Sequence, residues 1–262
     1  MVRLTSGETP VPGPTSPQTA GECNPAARVQ RRADLHAALG ERVRLTMVDA
    51  LALGDLSPGE LADLTGLRTN LLAFHLRVLE EAGLIRRVRS EGDRRRSYVQ
   101  VRWDDPLVAG LIPTPPGRPT PRVAFVCTAN SARSQLAAAV WGRVSDVPAT
   151  CAGTHPAASV HPGAVAVARR HGLRLARART RDVRETLRAD DLVVAVCDSA
   201  HEALTGAPPV GDPSRSLHWA IPDPVARDTD AAFEVAYQDL SERISRLAGA
   251  TFGASAQPDT GR

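Results

Sequence analysis

A cysteine and an arginine stand at the two ends of Cys127-Thr128-Ala129-Asn130-Ser131-Ala132-Arg133, between the apolar run Val123–Val126 and the helix-forming Ser134-Gln135-Leu136-Ala137. That order reads as strand, tight loop, helix. A thiol at the head of such a loop meets free backbone N–H groups and the positive end of the helix dipole. Both stabilise negative charge on sulfur, which makes Cys127 a candidate nucleophile. The same N–H groups, with the guanidinium fork of Arg133, form a cradle for a tetrahedral oxyanion. The competing reading of these residues is a buried structural cysteine.

The elements that must hold this loop follow from patterning. Residues 122–250 alternate apolar strand-like runs with helical stretches, which predicts a parallel sheet covered by helices. Candidate strands are Arg122–Val126, Pro148–Ala152, Leu192–Cys197 and Leu217–Ala220. Candidate helices are Ser134–Arg143, Pro162–His171, a short piece after Cys197, and Asp230–Leu247. In such sheets ligand loops lie at the carboxyl ends of strands, where Cys127 falls.

Residues 28–103 read differently. Arg31–Leu39, Glu41–Leu53 and Asn70–Ala82 carry apolar residues at helical spacing. Ser57-Pro58-Gly59-Glu60 is a helix start, with Ser as cap, Pro at the first position and Glu three residues after the cap. Thr69 can cap the next helix, and Gly83 stops it. Leu84–Arg89 and Ser97–Trp103 alternate as strands around the polar turn Ser90–Arg96. The fold class expected is therefore two domains. The N-terminal one is mainly α, a winged helix-turn-helix; the C-terminal one is α/β with a four-stranded parallel sheet. The Pro-, Gly-, Ser- and Thr-rich residues 1–27 read as a disordered tail, residues 104–121 as a Pro-rich linker, and 251–262 as a second tail.

Composition narrows the setting. The net charge of +3 decides nothing by itself, and all 32 basic residues are arginine. Their distribution is uneven: residues 27–103 hold 14 Arg against 10 Asp and Glu, whereas 121–250 hold 15 against 14. Four cysteines occur, Cys23, Cys127, Cys151 and Cys197, without a CxxC pair, so no metal site is expected. Cys151 falls on a candidate strand and reads as core. The first 26 residues have no apolar segment of signal-peptide type, and no apolar run is long enough to span a bilayer. The expectation is a cytoplasmic protein with reduced cysteines and no membrane association.

The N-terminal block resembles the winged-helix repressors of the ArsR family. The likeness is carried by Leu61-Ala62-Asp63-Leu64-Thr65-Gly66-Leu67 and His75-Leu76-Arg77-Val78-Leu79-Glu80-Glu81-Ala82-Gly83-Leu84-Ile85. It implies duplex DNA as partner, bound by a homodimer. Arg68, Thr69, Asn70 and Ala73 would face base edges with His75 and Arg77 nearby. Arg89, Arg94, Arg95 and Arg96 of the wing would approach phosphates or the minor groove. Metal-sensing relatives often carry a cysteine box on the helix before the recognition helix. Residues 57–64 contain no cysteine, which leaves what this block senses open.

The C-terminal block resembles the low-molecular-weight tyrosine phosphatases and the arsenate reductases built on that fold. Beyond the Cys-X5-Arg loop, the likeness runs through Ala152-Gly153-Thr154-His155-Pro156, Val160–Val165, Asp191–Asp198 and His218-Trp219-Ala220-Ile221-Pro222-Asp223-Pro224. It implies that Thr128, Ala129, Asn130, Ser131, Ala132 and Arg133 bind the oxyanion. It makes Asp223 the general acid, on a backbone stiffened by a proline on each side. Asn130 would hold the loop's shape, and Ser134 would hydrogen-bond the sulfur. Gln135 after Ser134, Val225 after Asp223-Pro224, and Cys197 at the place of a second redox cysteine all resemble the reductases.

The resemblance thus implies a bifunctional arsenic-resistance protein, a DNA-binding regulator joined to an arsenate reductase. The electron donor would be an external thiol: mycothiol, glutathione or a thioredoxin-type system. Thioredoxin-coupled relatives relay through two further cysteines seven residues apart, but here Leu204 stands seven residues after Cys197. Either Cys197 closes a disulfide with Cys127 directly, or a small thiol resolves the Cys127 adduct; the incomplete relay favours the small thiol. Two other readings stand beside this one: a tyrosine phosphatase, and a regulator whose phosphatase-like domain only senses an oxyanion.

Overall fold

Apolar periodicity near 3.6 residues governs the first half of the chain. The computed structural model describes residues 25–115, 119–175, 178–206 and 213–252. Four helices open it, α1 (Pro25–Leu39), α2 (Arg42–Leu51), α3 (Pro58–Thr65) and α4 (Thr69–Glu81). The first turn of α1 falls inside the stretch expected to be tail; the rest of that stretch, with Cys23, and residues 253–262 lie outside the described residues. Leu35, Met47, Leu51, Leu61, Leu76 and Leu79 interlock as the core of this domain. The capping box at Ser57 forms as expected: Ser57 Oγ accepts from Glu60 N–H, and Glu60 Oε2 accepts from Ser57 N–H at 2.7 Å. Thr69 does not cap α4. It is the first helical residue, and Arg68 before it makes no side-chain cap.

β1 (Ile85–Arg89) and β2 (Ser97–Val101) form the antiparallel wing. The stretch expected to be a linker begins instead with a helical turn, α5 (Pro106–Ala109), capped by Asp105 Oδ1. Val108 and Ile112 bury themselves in the N-terminal core, so apolar burial overrides the proline signal there. Residues 116–118 of that stretch lie outside the described residues.

The second half builds a parallel sheet in the order β4-β3-β5-β6, from β3 (Val123–Cys127), β4 (Ala149–Gly153), β5 (Leu192–Ala195) and β6 (Ser216–His218). Central β3 is buried at every position, as a strand covered on both faces must be. Helices α6 (Arg133–Val144), α7 (Pro162–Arg170) and α11 (Asp230–Phe252) pack on one another, and α9 (Asp198–Leu204) packs on β3 and β5. Short helices α8 (Val183–Thr186) and α10 (Pro224–Arg227) lie between. The chain leaves β3 in one direction for β4 and returns to its other side for β5. That reversal opens a crevice at the carboxyl ends of β3 and β5.

The two domains share a buried polar interface. Asp55, 3% exposed, accepts from Gln100 Nε2 at 2.8 Å, Ala220 N–H at 2.7 Å and Arg243 Nη1 at 2.9 Å. Trp219 Nε1 donates to the Leu53 carbonyl at 2.7 Å, and the Arg246 guanidinium lies 4.3 Å from the Trp103 ring centroid. Asp55→Ala strands the buried Arg243 charge and two further donors. The expected loss is about 3–5 kcal/mol of unfolding free energy, read from the urea midpoint. A loss below about 1 kcal/mol would show that Asp239 alone satisfies Arg243.

Candidate active site

The loop after β3 is shaped by what its carbonyls bind. Cys127 O accepts from Thr154 N–H, Thr128 O from His155 N–H, Ala129 O from Ala157 N–H and Ser131 O from His161 N–H. These bonds tie residues 127–131 to the segment after β4. Close approach requires Gly153: a Cβ there would stand 2.7 Å from Thr128 O. Ala132, the residue before α6, makes no side-chain cap, which leaves the first amides of that helix for an anion.

Asn130 holds the turn. It adopts φ 49°, a left-handed conformation that Asn tolerates better than most side chains. Its Oδ1 accepts from Arg181 N–H at 2.9 Å, and its Nδ2 donates to Ser134 Oγ at 2.8 Å. Ser134 Oγ lies within hydrogen-bond distance of Cys127 Sγ, at 3.0 Å. Asn130 N–H also donates to the sulfur at 3.2 Å. Cys127 is thus a buried sulfur held between the Asn130 N–H and the Ser134 hydroxyl. Gln135 Nε2 reaches Asn130 O and Arg179 O, so Gln135 braces the loop.

Arg133 is buried at 7% exposure. Its Nη1 donates to Ile221 O at 2.9 Å, and its Nη2 lies 3.2 Å from Asp223 Oδ2. Burial works against its charge, but the acidic groups gathered around it, the Asp223 and Glu91 carboxylates among them, outweigh burial and raise its pKa. Asp223 caps α10 through Oδ1, which accepts from Val225 N–H at 3.1 Å. Its other oxygen faces the arginine at the mouth of the crevice.

Cys197 ends the crevice on the β5 side, and its Sγ lies 3.5 Å from Thr128 Oγ1. Burial pushes its thiol up, only partly offset by the Arg133 charge. Cys127, Cys197, Arg133 and Asp223 all line one cavity of about 610 Å³. Val225 and Ala226 stand on its rim, and no aromatic side chain lines it among the described residues. Cys151 lies outside that lining, half-buried in β4, and burial pushes its thiol up.

The DNA-facing candidates divide. Arg68, just before α4, and Thr69, Asn70, Ala73 and Arg77 on it are exposed. His75 is not among them: it is 8% exposed, with Nδ1 3.6 Å from Glu41 Oε2 near the start of α2, because its place on the helix faces the domain core. Arg95 and Arg96 are exposed and pair with Asp93. Arg89 and Arg94 line the cavity with Cys127, so this part of the wing faces the crevice as well as solvent. The sequence reading missed Ser90, Glu91, Asp198 and Ser199 of the same lining. No local signal marks Glu91, which meets Asp223 across 132 positions of sequence.

A strand-end cysteine, a tight loop closed by an arginine, and a carboxylate facing that arginine define a phosphatase-type cysteine fold. The profile of low molecular weight phosphotyrosine protein phosphatase matches residues 122–257, and that of a helix-turn-helix domain matches 39–88. The chain belongs to the low molecular weight phosphotyrosine protein phosphatase family, with an added helix-turn-helix domain. It is 31% identical over 127 residues to an arsenate reductase of Bacillus cereus (strain AH187), covering 47% of this chain and 90% of that protein. It is 30% identical over 132 residues to an arsenate reductase of Halalkalibacterium halodurans, covering 47% and 92%. Among solved structures, the arsenate reductase of Archaeoglobus fulgidus is 28% identical, with TM-score 0.42, covering 48% of this chain and 98% of that one. No described helix is long and apolar enough to cross a membrane.

Proposed function

We propose that this chain is a thiol-dependent arsenate reductase joined to a DNA-binding transcriptional regulator. The observation that carries the enzymatic part is one cavity that holds Cys127, Arg133 and Asp223, with no aromatic ring in its lining among the described residues to pack against a phosphotyrosine. In this reading the amides of residues 128–133 and the Arg133 guanidinium hold arsenate. The Cys127 thiolate attacks arsenic, and Asp223 protonates the departing oxygen. A second thiol then attacks Cys127 sulfur. The sulfur–arsenic bond breaks, its electron pair stays on arsenic, and arsenite leaves a disulfide behind. The curated relatives named above are arsenate reductases, which supports the same substrate.

The test is arsenite release by the purified full chain with mycothiol, glutathione or thioredoxin, each with its reductase, and an aryl-phosphate assay alongside. Release with at least one donor is expected; aryl-phosphate turnover without arsenite release would overturn the reading. Cys197→Ser separates the two thiol routes. It is expected to keep most activity when the small thiol is supplied, because that thiol resolves Cys127 directly. Complete loss in a folded variant would make Cys197 the resolving cysteine.

For the regulator, the domain boundaries proposed are 28–103 for the DNA-binding part and 122–250 for the catalytic part, and the proposed assembly is a homodimer on duplex DNA. The exposed face of α4 with Arg68, Asn70, Ala73 and Arg77 supports this. Arg95→Ala with Arg96→Ala in the full chain is expected to weaken binding across all sequences and to lower the salt slope by about 1–2, through lost phosphate contacts. Arg68→Ala is expected to change the preference among sequences instead. Unchanged salt dependence in the double variant would remove these arginines from the interface.

A further inference from the structure

The tip of the wing, rather than standing free for DNA, closes over the oxyanion crevice. Ser90, 2% exposed, donates from Oγ to Glu202 Oε1 at 2.8 Å. Asp93 N–H donates to Glu202 Oε2 at 2.9 Å, and Glu91 N–H to Asp198 Oδ2 at 2.8 Å. Asp198 follows Cys197 directly and is held in turn by His218 Nε2 at 2.9 Å. Gly92 fits only because it lacks a Cβ, which would stand 2.4 Å from Glu202 Oε2 and 3.1 Å from Ser199 Cα. These contacts aim the Glu91 side chain at the two groups assigned to catalysis. Its Oε2 accepts from Asp223 N–H at 2.8 Å and lies 3.8 Å from Arg133 Nη1.

We propose that Glu91 is a displaceable plug of the oxyanion site, through which an oxyanion on the 127–133 loop loosens the wing and weakens DNA binding. The proposal rests on the reading of this loop as an oxyanion site. Charge carries it. Arg133 is shared by two carboxylates, Asp223 and Glu91. A tetrahedral dianion needs the same guanidinium, and Glu91 repels it at short range. The Glu91 side chain is 50% exposed, so it can swing into water at little cost. Asp223 is tied down by Val225 N–H and cannot yield so easily.

When Glu91 leaves, the wing tip loses its attraction to Arg133 and its hold on Asp223 N–H. Its remaining anchors are backbone and hydroxyl donors to Asp198 and Glu202. The same turn presents Arg95, with its side chain 91% exposed, and Arg96 at 55%. A docked wing holds these arginines in a fixed place, and a loosened one must be reordered on DNA. The two sites are then linked, and by reciprocity DNA on the wing weakens oxyanion binding by the same factor.

The test uses the full chain without any thiol donor and inorganic phosphate as a probe that is not reduced, at constant ionic strength. Calorimetry reads phosphate binding, amide hydrogen exchange reads residues 91–93, and fluorescence anisotropy reads a short mixed-sequence duplex. Phosphate is expected to speed exchange at 91–93 by about tenfold or more, as for loss of a local anchor. It is expected to weaken duplex binding several-fold. Glu91→Gln keeps the acceptor for Asp223 N–H but removes the charge, and should bind phosphate roughly tenfold more tightly. Arg133→Ala, which loses the anion site, should show neither response. Phosphate binding with exchange at 91–93 unchanged or slowed overturns the plug. Faster exchange with duplex affinity unchanged, or with no duplex binding, overturns the link to DNA. Equal phosphate affinity in wild type and Glu91→Gln removes the charge argument. No phosphate binding by the wild type overturns this proposal and the reading of the site together.

Discussion

Cys127→Ser is expected to abolish arsenite production with every thiol donor, to below the detection limit of the assay that measures the wild type. The loss has two causes. A serine hydroxyl in this crevice has no general base to take its proton: its nearest side-chain neighbour would be the Ser134 hydroxyl, itself 3.0 Å from the present sulfur. It also cannot form the disulfide through which two electrons reach arsenic. The fold should be untouched, because the change is one atom at the end of a buried strand and the Asn130 N–H still finds an acceptor there. Phosphate binding by calorimetry should therefore survive, since the loop amides and Arg133 remain. Arsenite release near the wild-type rate would move the chemistry to another thiol. Cys197 would be the next candidate, because it lines the same cavity.

Asp223→Asn is expected to lower kcat by about 10²–10⁴-fold, the range for a lost general acid. The geometry makes this a clean substitution. The asparagine carbonyl can still accept from Val225 N–H and keep the cap of α10, and the Asp223 backbone bond to Glu91 does not involve the side chain. What disappears is the proton donor and one of the carboxylates sharing Arg133. Anion binding should stay equal or tighten. The expected signature in arsenate kinetics is thus a fall in kcat without a rise in KM, measured with a saturating thiol donor. An unchanged kcat would mean that the leaving oxygen takes its proton from elsewhere. A matched fall in phosphate affinity would mean that Asp223 mainly orients Arg133.

The chain's local chemistry was legible in its residues because each signal acts within a few positions. The run Val123–Val126 before Cys127 is a fully buried strand, and Arg133 begins the helix that follows. Ser57 and Glu60 close their capping box across three residues. The alternation after residue 122 yields the parallel sheet, and the helical spacing before Gly83 yields the helix-turn-helix. Where one local signal had to compete with another, the sequence reading slipped. Thr69 could cap or begin α4, and the prolines of 104–121 concealed Val108 and Ile112, whose apolar side chains had a core to enter.

Tertiary structure decided everything that depends on residues far apart meeting. Nothing near Asp55 announces that it receives Arg243 across 188 positions and fixes one domain against the other. The segment after β4 holds the loop of residues 127–131 through backbone bonds, which carry no side-chain signature. His75 has the sequence address of a DNA-facing residue, but the turn of α4 points it at Glu41. Glu91 reads from sequence as one more charge in a solvated turn. Its place beside Arg133 and Asp223 exists only because the two domains pack with the wing over the crevice. Hydrogen bonding and helix periodicity are short-range and leave a trace in neighbouring residues. The meeting of wing and crevice is set by the packing of two surfaces, and no short stretch of the chain encodes it.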